Sequence, residues 1–227
     1  MSRKERVRQK EFGFVSWGGK RKGAGRKPKG EVAGMPHGKR PDFAGRFPLH
    51  VTLKLERGLP SLRQKAPFVV LKRAFGAATG RFEFRVVHFS IQSNHVHLLV
   101  EAPGVRALSR GVKGLAVRIA RALNALWRRP GRVFADRFHS RILETPREVR
   151  NVPCYLFFNV ERHGTRILGG FDPFTSGESF DGWKGGEAMS AESCAGPFGR
   201  ARTWLLRIGW RRHGLLSWHP ALRTTTR

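Results

Sequence analysis

The chain has 227 residues, of which 40% are hydrophobic and 11% aromatic, and this composition excludes a wholly disordered protein. Its 44 Lys and Arg against 16 Asp and Glu give a formal net charge of +28, which indicates a polyanionic partner, most often nucleic acid. No apolar run approaches the ~18 residues of a membrane-spanning helix, and no apolar leader follows the basic N-terminus, so we expect a cytoplasmic protein. Two cysteines, Cys154 and Cys194, form no disulfide or metal pattern.

Composition divides the chain into three parts. Residues 1–46 are rich in Gly, Lys and Arg without periodicity, which predicts a flexible basic DNA-binding arm. Such an arm either enters the minor groove of DNA or acts as a solubilising tail that touches phosphates without preference. Its candidate DNA contacts are Lys20, Arg21, Lys22, Arg26 and Lys27.

The middle part, residues 47–164, is predicted to hold the folded domain, and it is basic in its own right. An alternating, β-branched stretch predicts a first strand over His50–Leu55, and a helix is predicted over Pro67–Ala78. A second strand is predicted over Phe82–Gln92. Strict alternation would place Phe84, Val86, His88 and Ser90 on one face of that strand and Arg85, Val87, Phe89 and Ile91 on the other.

A two-residue turn predicts a hairpin from the second strand into a third, His95–Val100. Apolar residues at three- and four-residue steps then predict an amphipathic helix over Val105–Arg128. Its outer face is basic, and we expect it to contact DNA through Arg106, Arg110, Lys113, Arg118 and Arg121.

A fourth strand or hairpin is predicted over Arg132–Leu143, with Arg137 as a further candidate DNA contact. A last helix is predicted from Pro146 to His163, with a kink or a break at Pro153. The order of elements is that of a ferredoxin-like β-α-β-β-α-β sheet with an added C-terminal helix, an α+β fold. Residues 165–227 are interpreted as a linker and a basic aromatic tail, of which 203–219 is either a short amphipathic element or disordered.

Two histidines on the third predicted strand are the first candidate site residues. His95 and His97 are two residues apart, so both imidazoles lie on one face of the strand, whereas Val96 points into the core. Imidazoles at this spacing can share one divalent cation and leave positions open for phosphate oxygens. The alternative is that they are ordinary sheet-face histidines. His50, His88 and His139 also lie on predicted strands; any of them could line the site, but structural roles or phosphate contacts are more common for such residues.

The single tyrosine of the chain, Tyr155, lies on the last predicted helix, and Asn159 shares its face at i+4. A phenol can attack a phosphodiester and conserve the bond energy in a phosphotyrosine ester, which a free hydroxyl can later reverse. Asn159 could add an oxygen ligand beside the two histidines. The alternative is that Tyr155 is a half-buried helix aromatic.

These segments together resemble the HUH superfamily of single-tyrosine transposases, and in particular the REP-associated tyrosine transposases. The similarity covers about residues 44–164 and rests on the strand that starts His50-Val51-Thr52, the Asn94–Leu99 strand, the Val133–Ser140 segment and the Tyr155–Val160 helix. The basic arm over residues 18–28 is also similar to arms that often precede this domain.

The resemblance implies an enzyme, a metal-dependent single-stranded DNA transposase that cuts next to DNA hairpins. His95 and His97 would bind Mg²⁺ or Mn²⁺, Asn159 would be the third ligand, and Tyr155 would form a 5′-phosphotyrosine intermediate. From the absent signal and the DNA partner we expect a cytoplasmic, nucleoid-associated location in a bacterium, and a monomer is favoured over a dimer. The alternative function is a non-catalytic nucleic-acid-binding protein on the same sheet, in effect an inactive or domesticated transposase.

Overall fold

A computed structural model describes residues 38–162, 171–184 and 199–217 of the chain. Its sheet has four strands in the order β2-β3-β1-β4, and every neighbouring pair is antiparallel. The strands are β1 (Leu49–Lys54), β2 (Arg85–Ile91), β3 (His95–Glu101) and β4 (His139–Ile142). This order confirms the α+β, ferredoxin-like sheet that the sequence predicts.

The helices in these parts of the chain are α1 (Lys65–Ala78), α2 (Val105–Leu126), α3 (Pro146–Arg162) and the single-turn α4 (Trp204–Arg207). Two 3₁₀ turns cover Arg81–Glu83 and Gly209–His213. Of the described helices, none is both long and apolar enough to span a lipid bilayer. Residues 1–37, which make up most of the basic arm, lie outside the described residues, so the arm stays a prediction.

The two faces of the sheet carry different cores. Helices α1 and α2 cover one face, where Val51, Val96 and Leu115 are fully buried. Helix α2 approaches closely because Gly111 has no side chain; a Cβ there would lie 2.2 Å from the Phe84 ring. Helix α3 covers the other face through Leu156 and neighbouring apolar side chains.

The alternation predicted for β2 is wrong, because the strand contains a bulge. The pairing with β3 shifts register between Val86 and His88, so that two residues of β2 oppose one of β3 at this point. Val86 and Phe89 therefore both belong to the core under α1 and α2, whereas Val87 joins the core under α3. His88 points to the α3 side.

The described parts of 165–227 are packed onto the domain and do not form a linker there. The segment 171–184 runs along the free edge of β2, where the Ile91 amide donates to the Phe174 carbonyl and the Ser176 amide to the Phe89 carbonyl. Arg63 holds the segment with two hydrogen bonds, of 2.8 and 2.9 Å, to the buried Asp172 carboxylate. Backbone pairing with a strand edge accounts for this order where composition indicates a flexible segment.

The segment 199–217 is tied to the far end of β3. The Glu101 carboxylate is buried, accepts hydrogen bonds from the backbone amides of Arg202 and Thr203, and pairs with Arg85 at 3.0 Å. In this segment the structure contains α4 and a 3₁₀ turn, so the short-element alternative holds for its described residues.

Candidate active site

The sheet register places three polar side chains of β1 and β3 on the face beneath α3. Thr52 pairs with His97, and His50 pairs with Leu99, one step along the same face. Val96 faces the opposite core, as the sequence predicts, and is fully buried. We call His50, Thr52, His95, His97 and Tyr155 together the histidine–tyrosine site.

His97 lies at the centre of this site, with 5% of its surface exposed. Its Nδ1 is 3.1 Å from both His50 Nε2 and Thr52 Oγ1. Its Nε2 is 3.3 Å from the hydroxyl oxygen of Tyr155. The two ring nitrogens therefore meet different partners: one is held by β1, and the other is directed at the phenol.

His95 is the more exposed member of the histidine pair. Its ring centroid is 4.6 Å from that of His97, and the two rings are nearly perpendicular, at 85°. The Asn94 side-chain oxygen is 2.8 Å from His95 Nδ1, which restricts the orientation of the ring. The structure thus brings the two histidines together with the tyrosine, as the sequence pattern predicts for its site residues.

The N-terminal cap of α3 fixes the start of the helix that carries Tyr155. The Glu148 amide donates to Thr145 Oγ1, and the Glu148 carboxylate accepts from the Thr145 amide, which is a reciprocal capping box. Burial raises the pKa of Glu148, but the hydrogen bond from Arg141 and the backbone amides of Glu144 and Thr145 outweigh it, so that the pKa is lowered overall. Glu148 therefore has a local structural role.

His50 is the site residue that sequence reasoning undervalued. Burial, and to a lesser degree the nearby His139 and Arg141, lower its pKa to about 4, so the ring is neutral near pH 7. A neutral imidazole can accept or donate at His97 Nδ1 and so select which nitrogen of His97 carries the proton. The signal available in the sequence was the topology, because a ferredoxin-like sheet places β1 next to β3.

Asn159 is 1% exposed, and its Nδ2 has no hydrogen-bond partner among the residues that the structure describes. A buried amide without a partner is rare in folded proteins and calls for a missing group, such as an ion. Rotation of the amide by 180° would present its oxygen at the same place. No cluster of three or more His, Cys, Asp or Glu side chains suited to a metal is found in the described parts of the chain.

These observations fit a metal held by few protein ligands. Two adjacent imidazoles and one amide oxygen are acceptable ligands for Mn²⁺ or Mg²⁺ and leave the remaining positions to oxygens of water or substrate. The structure does not place Asn159 in hydrogen-bond contact with the histidines, so its role as third ligand stays a prediction.

The candidate DNA contacts on α2 lie along one solvent-facing side. Arg118 is half-buried, and its Nε is buried without a partner among the described residues; the other four are exposed: Arg106, Arg110, Lys113 and Arg121. Arg137 is half-buried and donates to the Gly38 carbonyl at 3.4 Å. Lys20, Arg21, Lys22, Arg26 and Lys27 lie outside the described residues.

Residues 63–155 match the family profile of IS200-like transposases. This stretch includes α1, β2, β3, α2 and β4 together with His95, His97 and Tyr155, but it begins after β1 and ends before Asn159. Over these residues the chain is therefore similar to IS200-like transposases, which confirms the resemblance seen in the sequence.

A solved structure of a REP-associated tyrosine transposase, described as bound to a REP hairpin, shares the fold of this chain. The TM-score is 0.51 at 16% sequence identity, and the match covers 63% of this chain and 82% of that one. At this identity the likeness concerns the fold. No curated protein sequence matches the chain.

Proposed function

We propose that the protein is a metal-dependent, single-stranded DNA endonuclease and strand transferase that cuts beside DNA hairpins through a 5′-phosphotyrosine intermediate. The observation that carries this proposal is the 3.3 Å contact between the Tyr155 hydroxyl and His97 Nε2. A tyrosine that served only to fill a helix interface would not need to meet a buried imidazole that is itself held by two further side chains.

DNA as the partner is supported by charge. The net charge of +28 and the basic outer side of α2 favour a polyanion. The REP-associated transposase of similar fold is described as bound to a REP hairpin, and a palindromic hairpin with adjacent single strand is the substrate that we propose for this chain. Nucleoid association and the oligomeric state stay predictions.

In the proposed reaction, the Tyr155 oxygen attacks the phosphorus of a phosphodiester. The bond from phosphorus to the 3′ oxygen breaks, and that oxygen leaves as a 3′-hydroxyl once it has gained a proton, while the 5′-phosphate stays on the tyrosine. The attacking phenol loses its proton, and His97 Nε2, 3.3 Å away, can accept it when that nitrogen is free. Attack of another 3′-hydroxyl on the ester reverses these steps and joins the strands.

His95, His97 and Asn159 would hold the divalent ion, Mg²⁺ or Mn²⁺. When bound, the ion would act as a Lewis acid that neutralises charge on the phosphate oxygens. The lone pair of His97 Nε2 cannot bind a cation and accept a proton at once, so with the ion bound the phenol proton would pass to solvent water. Thr52 and His50 contact His97 Nδ1 and orient the ring so that Nε2 faces the phenol.

A covalent adduct tests this proposal directly. We expect the protein, incubated with Mn²⁺ and a hairpin oligonucleotide that carries a 5′ single-stranded tail, to give a slower band on a denaturing gel. Tyr155→Phe removes the nucleophile and should abolish the adduct. His97→Ala should lower its rate of formation by at least about 10³-fold, a typical effect for a group in contact with the reacting atoms.

The matched control is His213→Ala, which removes an exposed histidine in the 3₁₀ turn Gly209–His213 and should leave the adduct unchanged. Hairpin binding should persist in Tyr155→Phe and His97→Ala. An adduct that survives Tyr155→Phe, or wild-type binding without any adduct, would contradict the catalytic proposal; the second result would favour the non-catalytic nucleic-acid-binding alternative.

A further inference from the structure

The turn Arg81–Glu83 between α1 and β2 presents an aromatic ring to solvent on a strained backbone. Phe82 has φ 54° and Glu83 has φ 58°, and both values lie in the left-handed region that non-glycine residues avoid. Each such residue strains the backbone. Phe82 nevertheless gains little burial in return, because 49% of its surface is exposed.

The turn is held rigidly enough to keep this geometry. The Gly80 amide donates to the Phe84 carbonyl at 2.8 Å, and the Phe84 amide donates to the Arg81 carbonyl at 3.0 Å. Phe84 itself is fully buried against α2 at Gly111, which fixes the turn on that helix. The exposed ring is therefore a fixed feature of the surface.

A cation covers the Phe82 ring from the basic side of α2. The guanidinium carbon of Arg110 lies 4.2 Å from the ring centroid, which is a cation–π contact. Arg81 is exposed beside the ring in sequence, and Arg106 is exposed one turn before Arg110. The exposed ring thus contacts one cation at the edge of a basic surface, which suits a ligand that is flat and negatively charged.

We propose that Phe82 and Arg110 form a stacking site for an unpaired nucleobase of the DNA substrate, outside the histidine–tyrosine site. A base would stack on the open surface of the Phe82 ring, and Arg110 would contact the adjoining phosphate; aromatic rings with arginines recur as platforms for single-stranded nucleic acid. This inference rests on the proposed action on DNA.

The place of the turn gives the stacking site a defined distance from the reaction. Arg85, which follows the turn, pairs with Glu101, and Glu101 is four residues along β3 from His97. At about 3.3 Å per residue Glu101 is about 13 Å from His97 along the strand, and Phe82 lies beyond this end of β2, on the α2 side of the sheet. The stacked base is therefore not the nucleotide at the cut but one further along the substrate.

Binding to two substrates tests the proposal. The probes are a hairpin oligonucleotide with a 5′ single-stranded tail and the same hairpin without the tail, each labelled for fluorescence anisotropy. Phe82→Leu should weaken binding of the tailed hairpin by about tenfold and leave the slope of affinity against salt concentration unchanged, because no charge is lost. Arg110→Gln should weaken binding and lower that slope by about one.

An abasic scan of the tail locates the stacked base. At one position, loss of the base should weaken binding to the wild type by about tenfold and have no further effect on Phe82→Leu, since the two changes remove the same contact. Val117→Ala is the matched control, because Val117 is equally exposed, on α2, and should change neither measurement. Phe82→Trp should retain the affinity, which separates loss of stacking from a damaged fold.

Equal affinity of wild type and Phe82→Leu for every tailed substrate would overturn the stacking site. If the wild type forms the Tyr155 adduct while Phe82→Leu binds normally, only the stacking site fails. If the wild type binds neither hairpin, the proposed function fails and the stacking site with it.

Discussion

The sheet face beneath α3 carries histidines in two regions, and other segments of the chain bury these two regions to different degrees. On the β1–β3 side, the histidine–tyrosine site combines three imidazoles, a hydroxyl and the phenol, and His95 is accessible. On the β2 side, His88 is enclosed by the rings of Phe157 and Phe180, and its Nδ1 is 3.1 Å from Ser176 Oγ. We call Phe157, Phe180, Trp183 and Trp210 the aromatic cluster.

The C-terminal segments cause the difference. Phe180, Trp183 and Ser176 come from 171–184, Trp210 comes from 199–217, and all of them contact the β2 side. The same residue type on the same sheet face thus becomes structural where these segments cover it and available for chemistry where they do not. The residue type alone therefore does not decide the role of a histidine; the burial of its ring by other segments does.

The largest effect should come from opening the aromatic cluster. Trp210 is buried, its ring lies 5.4 Å from that of Phe180, and its indole donates to the Leu206 carbonyl. Trp210→Ala should lower the free energy of unfolding by about 4 kcal/mol, as is usual for deletion of a large core aromatic. Denaturant unfolding measures this change.

The control for Trp210 is another tryptophan of the same segment. Trp204 is 46% exposed, so Trp204→Ala should cost less than about 1 kcal/mol. Equal losses for the two variants would mean that the C-terminal segment does not seal the β2 side.

A smaller effect should follow from the titration of His88. Burial lowers its pKa to about 4, and the nearby Asp181 raises it only partly back. Between pH 4 and 6.5 the unfolded chain then binds more protons than the folded one, so stability falls as the pH drops through this window. From pH 7.5 to pH 5 the loss due to His88 should be about 2 kcal/mol.

Unfolding measured at both pH values on His88→Asn isolates this contribution from that of His50. The variant should be less stable than the wild type at pH 7.5 but lose about 2 kcal/mol less on acidification. His213→Asn, at an exposed position, should leave the pH dependence of the wild type intact. If His88→Asn lost as much stability on acidification as the wild type, the titrating group would be a different residue.

The smallest effect is expected on the β1–β3 side of the sheet, from a substitution at Thr52. Thr52→Val keeps the shape of the side chain but removes the hydroxyl at 3.1 Å from His97 Nδ1. Because partners of this kind orient a ligating or reacting histidine, adduct formation should slow by about tenfold, with stability changed by less than about 1 kcal/mol.

Thr79→Val is a suitable comparison for Thr52, because it removes a hydroxyl that donates to the Phe75 carbonyl on α1, on the other side of the sheet. It should leave the rate of adduct formation unchanged. If Thr52→Val reacts at the wild-type rate, His97 does not depend on Thr52 for its orientation.

Much of this arrangement follows from sequence periodicity. Period-two patterns at β1 and β3, a long amphipathic stripe at α2 and the turn signals between them are enough for the ferredoxin-like order. The spacing of His95 and His97 fixes their common face, and the order of elements brings Tyr155 over it. These features are local, or they follow from a topology with few alternatives.

Other features depend on contacts that no local pattern encodes. The bulge at Val87 reverses the faces of part of β2, although its residues alternate normally in the sequence. His50 and Thr52 join the site only through the register of β1 against β3. The Gly and Ser content of 171–184 predicts a linker, because composition carries no information about the edge of β2 with which this segment pairs.

Glu101 lies on the same strand as His95 and His97, so a truncation that removes its partners would affect the strand that carries both histidines. Its buried carboxylate depends on Arg85 and on backbone amides at 202 and 203, well past the end of the family match at residue 155. A fragment cut to the family boundaries would leave that negative charge half-compensated on the histidine-bearing strand itself, and would lack β1. Expression fragments designed for the reaction should therefore run from before Leu49 to beyond Leu216.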